Sequence, residues 1–471
     1  MTQIVVNIVA QILGKVLSSI IGLLAITQIC RYLTVADFGG YTLAFSFLTL
    51  FHPLVDMGLN TIAAREISRE PPKTHSLLSE LLLIKGILAI LAILLIIGLT
   101  YLLGYPLGVR HLILVASFSL WNIVLGSLEV LLIVRQRLFW LAISQIFSNM
   151  LFLMLVYGVM ALRLGVSSLI GVQILSASFS YLLVFWATKG YFRLARPSWL
   201  GAKTIFRLSL PQGIASLVTT YYFNIDVVML SKLMDESAVA YYGAACRLLA
   251  FMIFIPHAIM MSLFPILARS RHQDPKAFAN IFSFSFYLLL VIGIPVAVWA
   301  TFYARPIIEL IYTSTFGPAV SAFSLLVWGG VGVFASHLAG YTLVVSDRQK
   351  FGMLISAFAL VANVAMNFWL IPAYGINGAA IATVITEFAV AILGFGLIVY
   401  FDRLWPFSWR LLRVLLITVA TAGLATLLQE VNWLVASALF TILLASTITY
   451  LSLTLDRAVW GRTKAMESLC R

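Results

Sequence analysis

The segment Ile371–Thr383 reads IPAYGINGAAIAT. It carries no charge and lies between two long apolar runs. Tyr374-Gly375 therefore reads as a turn between two membrane helices. Gly378, Ala379, Ala380 and Ala382 open the second helix on small side chains. Gly378-x-x-x-Ala382 is a small-x-x-x-small face, which lets another helix approach closely. Similar starts occur at Gly39-Gly40-Tyr41-Thr42-Leu43-Ala44, Ala240-Tyr241-Tyr242-Gly243-Ala244-Ala245 and Phe316-Gly317-Pro318-Ala319. Even-numbered helices thus enter the bilayer from one side on small residues. Such starts suit either a gate or ordinary tight packing.

The rest of the 471-residue chain agrees with a membrane reading. It is 62% hydrophobic and 10% charged, too apolar to present a soluble surface. Apolar runs of about 20 residues recur from end to end, each long enough to span a bilayer. They predict about fourteen helices, near 4–30, 39–62, 79–104, 110–133, 138–162, 166–188, 206–231, 238–266, 279–303, 319–345, 351–371, 376–401, 410–429 and 433–455. The first run holds Asn7, Gln11 and Lys15 and lacks a basic start, so it reads as a retained helix and not a cleaved signal.

Basic residues set the orientation. With the N-terminus in the cytoplasm, the cytoplasmic loops and tail hold 22 of the 30 Lys and Arg residues, and the opposite side holds five. This is a strong positive-inside bias, and it predicts that both termini are cytoplasmic. The net charge of +13 is then a topology signal, and no nucleic-acid partner is expected. Three cysteines, Cys30, Cys246 and Cys470, have no ligand spacing, so no metal site or disulfide frame is expected.

A shift of 201 residues exposes a weak repeat. Gln11 falls on Gln212, Ser18-Ser19 on Thr219-Thr220, Arg31 on Lys232, Tyr41 on Tyr242 and Ala44 on Ala245. Each copy holds six helices, an even number, so the copies are parallel. Transporters of this kind bind substrate between their halves. The predicted organisation is an N-terminal six-helix bundle (1–190), a second six-helix bundle (191–403), two additional helices (404–455) and a cytoplasmic tail (456–471).

Polar groups at membrane depth are expensive and mark cavities or partners. Asn7, Gln11 and Lys15 share one face of helix one, and His52, Asp56 and Asn60 share one face of helix two. Helix seven carries Gln212, Ser216, Thr219, Asn224 and Asp226. Arg247 and His257 lie on helix eight, Asn122 and Glu129 on helix four, Gln145 and Asn149 on helix five. The amides and hydroxyls equally suit interhelical hydrogen bonds. Asp56 and Glu129 lie toward the cytoplasmic ends, within reach of loop arginines such as Arg65 or Arg135. The sequence carries no G-x-S-x-G, no H-E-x-x-H and no phosphate loop, so no enzyme activity is expected.

Three stretches carry a resemblance: RYLTVADFGGYTLA (31–44), YYGAACRL (241–248) and LIPAYGINGAAIAT (370–383). In this order and spacing they resemble the oligosaccharide/polysaccharide (O-antigen type) flippase family of the multidrug/oligosaccharidyl-lipid/polysaccharide exporter superfamily. The resemblance implies an all-α membrane fold with two pseudo-symmetric six-helix bundles around a V-shaped cavity. It implies translocation of a polyprenyl-(di)phosphate-linked oligosaccharide from the cytoplasmic to the outer leaflet of the plasma (inner) membrane. Lys15 and Arg247 would then attract the phosphate, because desolvated anionic oxygens need a cation. Gln11, Asn149, Gln212 and Asn224 would meet the sugar. Asp226, Asp56 and Glu129 are the candidates for a coupling ion or for ion pairs. No cofactor is expected, with Na+ or H+ as coupling ions. A monomer is expected, with a glycan polymerase and glycosyltransferases as candidate partners. Two rival readings are a cation-coupled small-molecule exporter of the same superfamily and a membrane glycan polymerase or glycosyltransferase. The two additional C-terminal helices weigh against the first rival, and the lack of a large outer loop weighs against the second.

Overall fold

A computed structural model describes residues 2–191, 195–405, 411–428 and 433–455, with side chains from residue 14 onward except 411, 415, 434, 443 and 447–455. Every regular element among them is helical. In lipid this follows from backbone hydrogen bonding, which a helix satisfies within itself. Twelve helices among the described residues are long and apolar enough to cross a membrane. Two shorter apolar stretches follow, at 412–427 and 435–446. The all-α, multi-pass architecture expected from the apolar runs is present. The tail expected at 456–471 lies outside the described residues.

The chain forms two compact units, Met1–Ala240 and Tyr241–Arg471. The first contains α1 (Thr2–Tyr32), α2 (Val35–Asp56), α3 (Leu59–Arg69), α4 (Thr74–Leu102) and α5 (Leu107–Ser117). It continues through α6 (Leu120–Leu125), α7 (Glu129–Val134), α8 (Leu138–Ala161), α9 (Val166–Thr188) and α10 (Trp199–Leu233). α1 packs along α8, α8 along α9, and α10 lies on α2, α3 and α4. This packing puts α10, the seventh span, in the first compact unit, although the sequence repeat counts it as the start of the second copy.

Two spans that the apolar runs present as single helices are interrupted. α2 and α3 together make the second span, and α5 to α7 make the fourth. Hydropathy is continuous across both breaks, so it does not reveal them.

The second unit is built from α11 (Glu236–Gln273), which begins just before the boundary, then α12 (Pro275–Phe302), α13 (Ala304–Ile311) and α14 (Ala319–Val345). α15 (Gln349–Tyr374), α16 (Ile376–Asp402), α17 (Leu411–Leu427) and α18 (Trp433–Leu455) complete it. α16 packs on α14 and α15. The α14–α16 contact runs over small residues: a Cβ at Gly394 would lie 2.8 Å from Ala339 Cβ, and one at Gly332 would lie 3.0 Å from Glu387 Cβ. Here the small-residue packing read from the sequence is realised. The two added helices cover α12, where Trp299 stacks on Phe440 at 4.6 Å and Val414 joins Tyr287 and Val291.

The turn at Tyr374-Gly375 is also present. Gly375 adopts φ 59, ψ −136, a region open almost only to glycine. Three residues later, a Cβ on Gly378 would overlap the backbone carbonyl of Leu370. The first glycine reverses the chain, and the second lets α16 start against the end of α15.

One ion cluster ties an end of this unit. Asp402, at the C-terminus of α16, accepts from Arg271 at 2.6 Å and from Arg348 at 2.7 Å. Its other oxygen accepts from Ser346 Oγ at 3.3 Å. The end of α11, the α14–α15 turn and the end of α16 therefore meet at one end of the unit.

Candidate substrate site in the first unit

The second span breaks at two consecutive left-handed residues, Met57 (φ 46) and Gly58 (φ 70). For Met57 this conformation costs roughly 1–2 kcal/mol. The break persists because its surroundings fix it. A Cβ on Gly58 would lie 2.6 Å from Gln212 Cγ of α10, and the Met57 sulfur lies 2.9 Å from the Cβ position of Gly213.

Lys85 of α4 spans the break. Its side chain is fully buried, and Nζ donates to Asp56 Oδ1 at 2.6 Å and to Asn60 Oδ1 at 2.8 Å. Asp56 is the last residue of α2, and Asn60 lies in the first turn of α3. One ammonium therefore links both sides of the break. A solitary cation in this apolar interior would be expensive, and the carboxylate and amide offset that cost. Asp56 thus pairs with Lys85, not with Arg65, which lies within α3 and pairs with Glu66 at 2.9 Å.

Two pockets lie beside this pair and share Ala177 and Tyr181 of α9. The first, of about 410 Å³, is lined by Phe45, Thr49 and His52 of α2, by Ser119 and Asn122, by Gln173 of α9 and by Ser216 and Thr220 of α10. Tyr41 donates to Gln173 Oε1, and Ser178 donates to Asn122 Oδ1 at 2.8 Å. The second pocket, also about 410 Å³, gathers Lys15, Ser18 and Ser19 of α1, Glu129 of α7, and Gln145 and Asn149 of α8. It has more polar character, and it holds a cation, a carboxylate, hydroxyls and amides within one concavity.

The sequence candidates therefore divide. Lys15, Asn149 and Glu129 share the second pocket. Asp56 lies in the ion pair at the break, and Gln212 lies against Gly58 two residues away. Asn224 donates to Thr220 O within α10 at 2.9 Å, and Asp226, farther along that helix, is buried. Neither lines these pockets. Arg247 is half-buried on α11 in the second unit. Gln11 lies on α1, but its side chain falls outside the described residues. Lys85, Gln173 and Tyr181 were not singled out from sequence. Lys85 had a signal, being the one charge between Glu80 and Arg110. Gln173 and Tyr181 had none, since an amide and a phenol on an apolar helix are common.

Among the described residues, no group of three or more His, Cys, Asp or Glu side chains is placed to hold a metal. What the second pocket can do is hold an anion at Lys15 and hydroxylated groups along its wall.

A family model described as polysaccharide biosynthesis protein matches residues 4–271. The chain belongs to this family. A second family model, MatE, matches residues 211–369. Among curated proteins, the chain is similar to a probable low-salt glycan biosynthesis flippase of Haloferax volcanii, 24% identical over 200 residues and 42% of each chain. It is also similar to a putative O-antigen transporter of Shigella flexneri, 25% identical over 38% of this chain and 44% of that one. A probable flippase of Haloferax volcanii is 26% identical over 62% of this chain and 63% of its own. These matches thus span less than two thirds of each relative. Among solved structures, a lipid II flippase in an inward closed conformation superposes with TM-score 0.78, covering 96% of this chain and 99% of that one at 16% identity. An inward-facing multidrug resistance transporter superposes with TM-score 0.71, covering 85% and 95%, also at 16% identity. At these identities the likeness establishes the fold alone, and the twelve apolar spans make this family member a multi-pass membrane protein.

Proposed function

We propose that this chain carries a polyprenyl-(di)phosphate-linked oligosaccharide from the cytoplasmic to the outer leaflet of the plasma membrane by alternating access. The observation that carries the reading is the pocket in which Lys15 stands among Ser18, Ser19, Gln145 and Asn149. A phosphate needs a cation once it leaves water, and sugar hydroxyls need amides and hydroxyls. Arg247 of the second unit is the other cation assigned to the phosphate. Glu129, in the same pocket as Lys15, is the candidate for holding the charge balance when no substrate is bound. The named relatives, two flippases and an O-antigen transporter, support the same reading. The six-helix copies 1–190 and 191–403 are the proposed units of internal symmetry, with 404–455 added to them. The positive-inside bias supports cytoplasmic termini.

The test is a gene deletion followed by leaflet analysis of lipid-linked intermediates with a membrane-impermeant probe on spheroplasts. A polyprenyl-linked oligosaccharide confined to the cytoplasmic face is the expected result, and it identifies the glycan. An intermediate that still reaches the outer face at the normal rate, with no redundant flippase present, removes the reading. In complemented cells, Lys15→Ala should depress export and Lys15→Arg should retain it. Full export from both Lys15→Ala and Arg247→Ala at normal expression would show that neither cation serves the phosphate. The MatE match and the TM-score of 0.71 to a multidrug transporter favour one second reading, a cation-coupled small-molecule exporter. Glycan-independent export of cationic dyes would select it.

A further inference from the structure

We infer that the first pocket of unit one, lined by Phe45, Thr49, His52, Asn122, Gln173 and Tyr181, is a subsite for an uncharged pyranose ring of the transported glycan. The inference rests on the flippase reading and assigns a part of the substrate to a pocket that holds none of the residues matched to the phosphate or the sugar from sequence. Three observations carry it.

The first is charge. None of the described residues lining this pocket is Asp, Glu, Lys or Arg. The lysine and aspartate behind it are matched to each other. Asp56 lies one turn from His52 and is bound by Lys85, whose Nζ also lies 3.5 Å from the carbonyl of Ile123 in the pocket wall. A uronic acid entering here would lose its hydration and meet no lysine or arginine in the lining, which is costly. A neutral polyol loses water and finds side-chain amides and hydroxyls in return.

The second is the mixture of surfaces. Phe45 and Tyr181 contribute aromatic rings to the lining, and Thr49, Gln173, Ser216 and Thr220 contribute hydrogen-bonding groups. A pyranose has both kinds of surface: C–H faces that pack on aromatic rings and an equatorial rim of hydroxyls. The Gln173 amide is held in place because Tyr41 donates to its oxygen, which leaves its NH₂ group to donate elsewhere.

The third is adjacency. Ala177 and Tyr181 belong to both pockets, so the neutral pocket adjoins the one that holds Lys15. A lipid-linked sugar has its charge at the phosphate and its neutral rings beyond it, and the two pockets present that sequence of chemistry. The volume of about 410 Å³ is that of a small-molecule site.

The test uses the full chain in lipid nanodiscs and saturation-transfer difference NMR with three probes: methyl glucoside, methyl N-acetylglucosaminide and methyl glucuronide. Transfer to at least one neutral glycoside, with far less to the glucuronide, is expected. Gln173→Leu should weaken binding of the neutral probe about tenfold, the loss of one of the stronger hydrogen bonds. Tyr41→Phe loosens the Gln173 amide but leaves it in the pocket, so it should weaken binding by clearly less than Gln173→Leu does. Equal transfer to the glucuronide, transfer to none of the probes, or unchanged binding in Gln173→Leu overturns the inference. So does an equal loss in both variants, which would assign the effect to the Tyr41 bond and not to the pocket. The leaflet assay separates the two levels. If outer-leaflet delivery depends on the gene while the NMR outcome is negative, the subsite is wrong and the flippase reading stands. If delivery is independent of the gene, the flippase reading itself falls.

Discussion

Tyr41 and Tyr242, 201 residues apart, make equivalent contacts in the two units. Tyr41 at the start of the second span donates to Gln173 on α9, and Tyr242 near the start of α11 shares a 3.1 Å hydrogen bond with Thr383 on α16. Both phenols are buried. The helix starts match as well. Thr34 Oγ1 accepts from the Asp37 amide at 3.2 Å, and Asp235, 201 residues later, accepts from the Ala238 amide at 2.8 Å. The sequence repeat is thus matched by a repeated cap and a repeated tyrosine clasp.

The clasp sets the first prediction. Tyr242→Phe should lower stability by about 1 kcal/mol, the net worth of one buried hydrogen bond. The same change at Tyr41 should cost at least as much, since it leaves the Gln173 oxygen without its donor. Thermal unfolding in detergent, followed by a cysteine-reactive or tryptophan probe, measures both. No change in either variant would mean that the two contacts do not hold the helices.

The ion pair at the break gives the second. Lys85→Met should destabilise the protein by about 3 kcal/mol, because it strands Asp56 in an apolar setting. Lys85→Met with Asp56→Leu should recover much of that loss, since neither charge then needs a partner. A double-mutant cycle on unfolding midpoints is the measurement. A double variant as unstable as Lys85→Met alone would contradict the pairing.

The turn at the quoted stretch gives the third. Gly375→Ala should cost roughly 1–3 kcal/mol, because its backbone lies where other residues are strained. Gly378→Ala should be worse, since a Cβ there meets the backbone carbonyl of Leu370 and neither helix can move without disturbing α14. Yield of folded protein by size-exclusion fluorescence should fall in the order wild type, Gly375→Ala, Gly378→Ala.

The fourth concerns Asp402. Asp402→Asn should cost about 2 kcal/mol, because two charge-assisted hydrogen bonds weaken and Arg271 and Arg348 are left facing each other. Replacing Arg271 alone should cost less, since Arg348 still holds the carboxylate. Equal midpoints for Asp402→Asn and wild type would remove the cluster as a tie between these helix ends.

The sequence by itself determined the solvent, the helical class, the first twelve long spans and the internal repeat, while the last two of the fourteen expected spans are shorter apolar stretches. Each follows from a property that acts residue by residue along the chain. Apolar length must match bilayer thickness, backbone groups in lipid must bond within a helix, and Gly375 and Gly378 announce a turn and a close approach through what they lack. It also marked Lys15, Asn149 and Glu129 as unusual at membrane depth, and these three share one pocket. The tertiary structure alone decided the partners. Asp56 and Asn60 share one helical face in the sequence reading. That the cation between them is Lys85, from another helix, and that it bridges a break at Met57-Gly58, depends on how α4 packs against α2 and α3. Gln173 and Tyr181 became pocket residues only because α9 turns that face toward α2. Pairing across helices depends on register and rotation between elements, which a hydropathy pattern does not record, whereas the cost of a buried charge is a property of the residue and is legible in the chain.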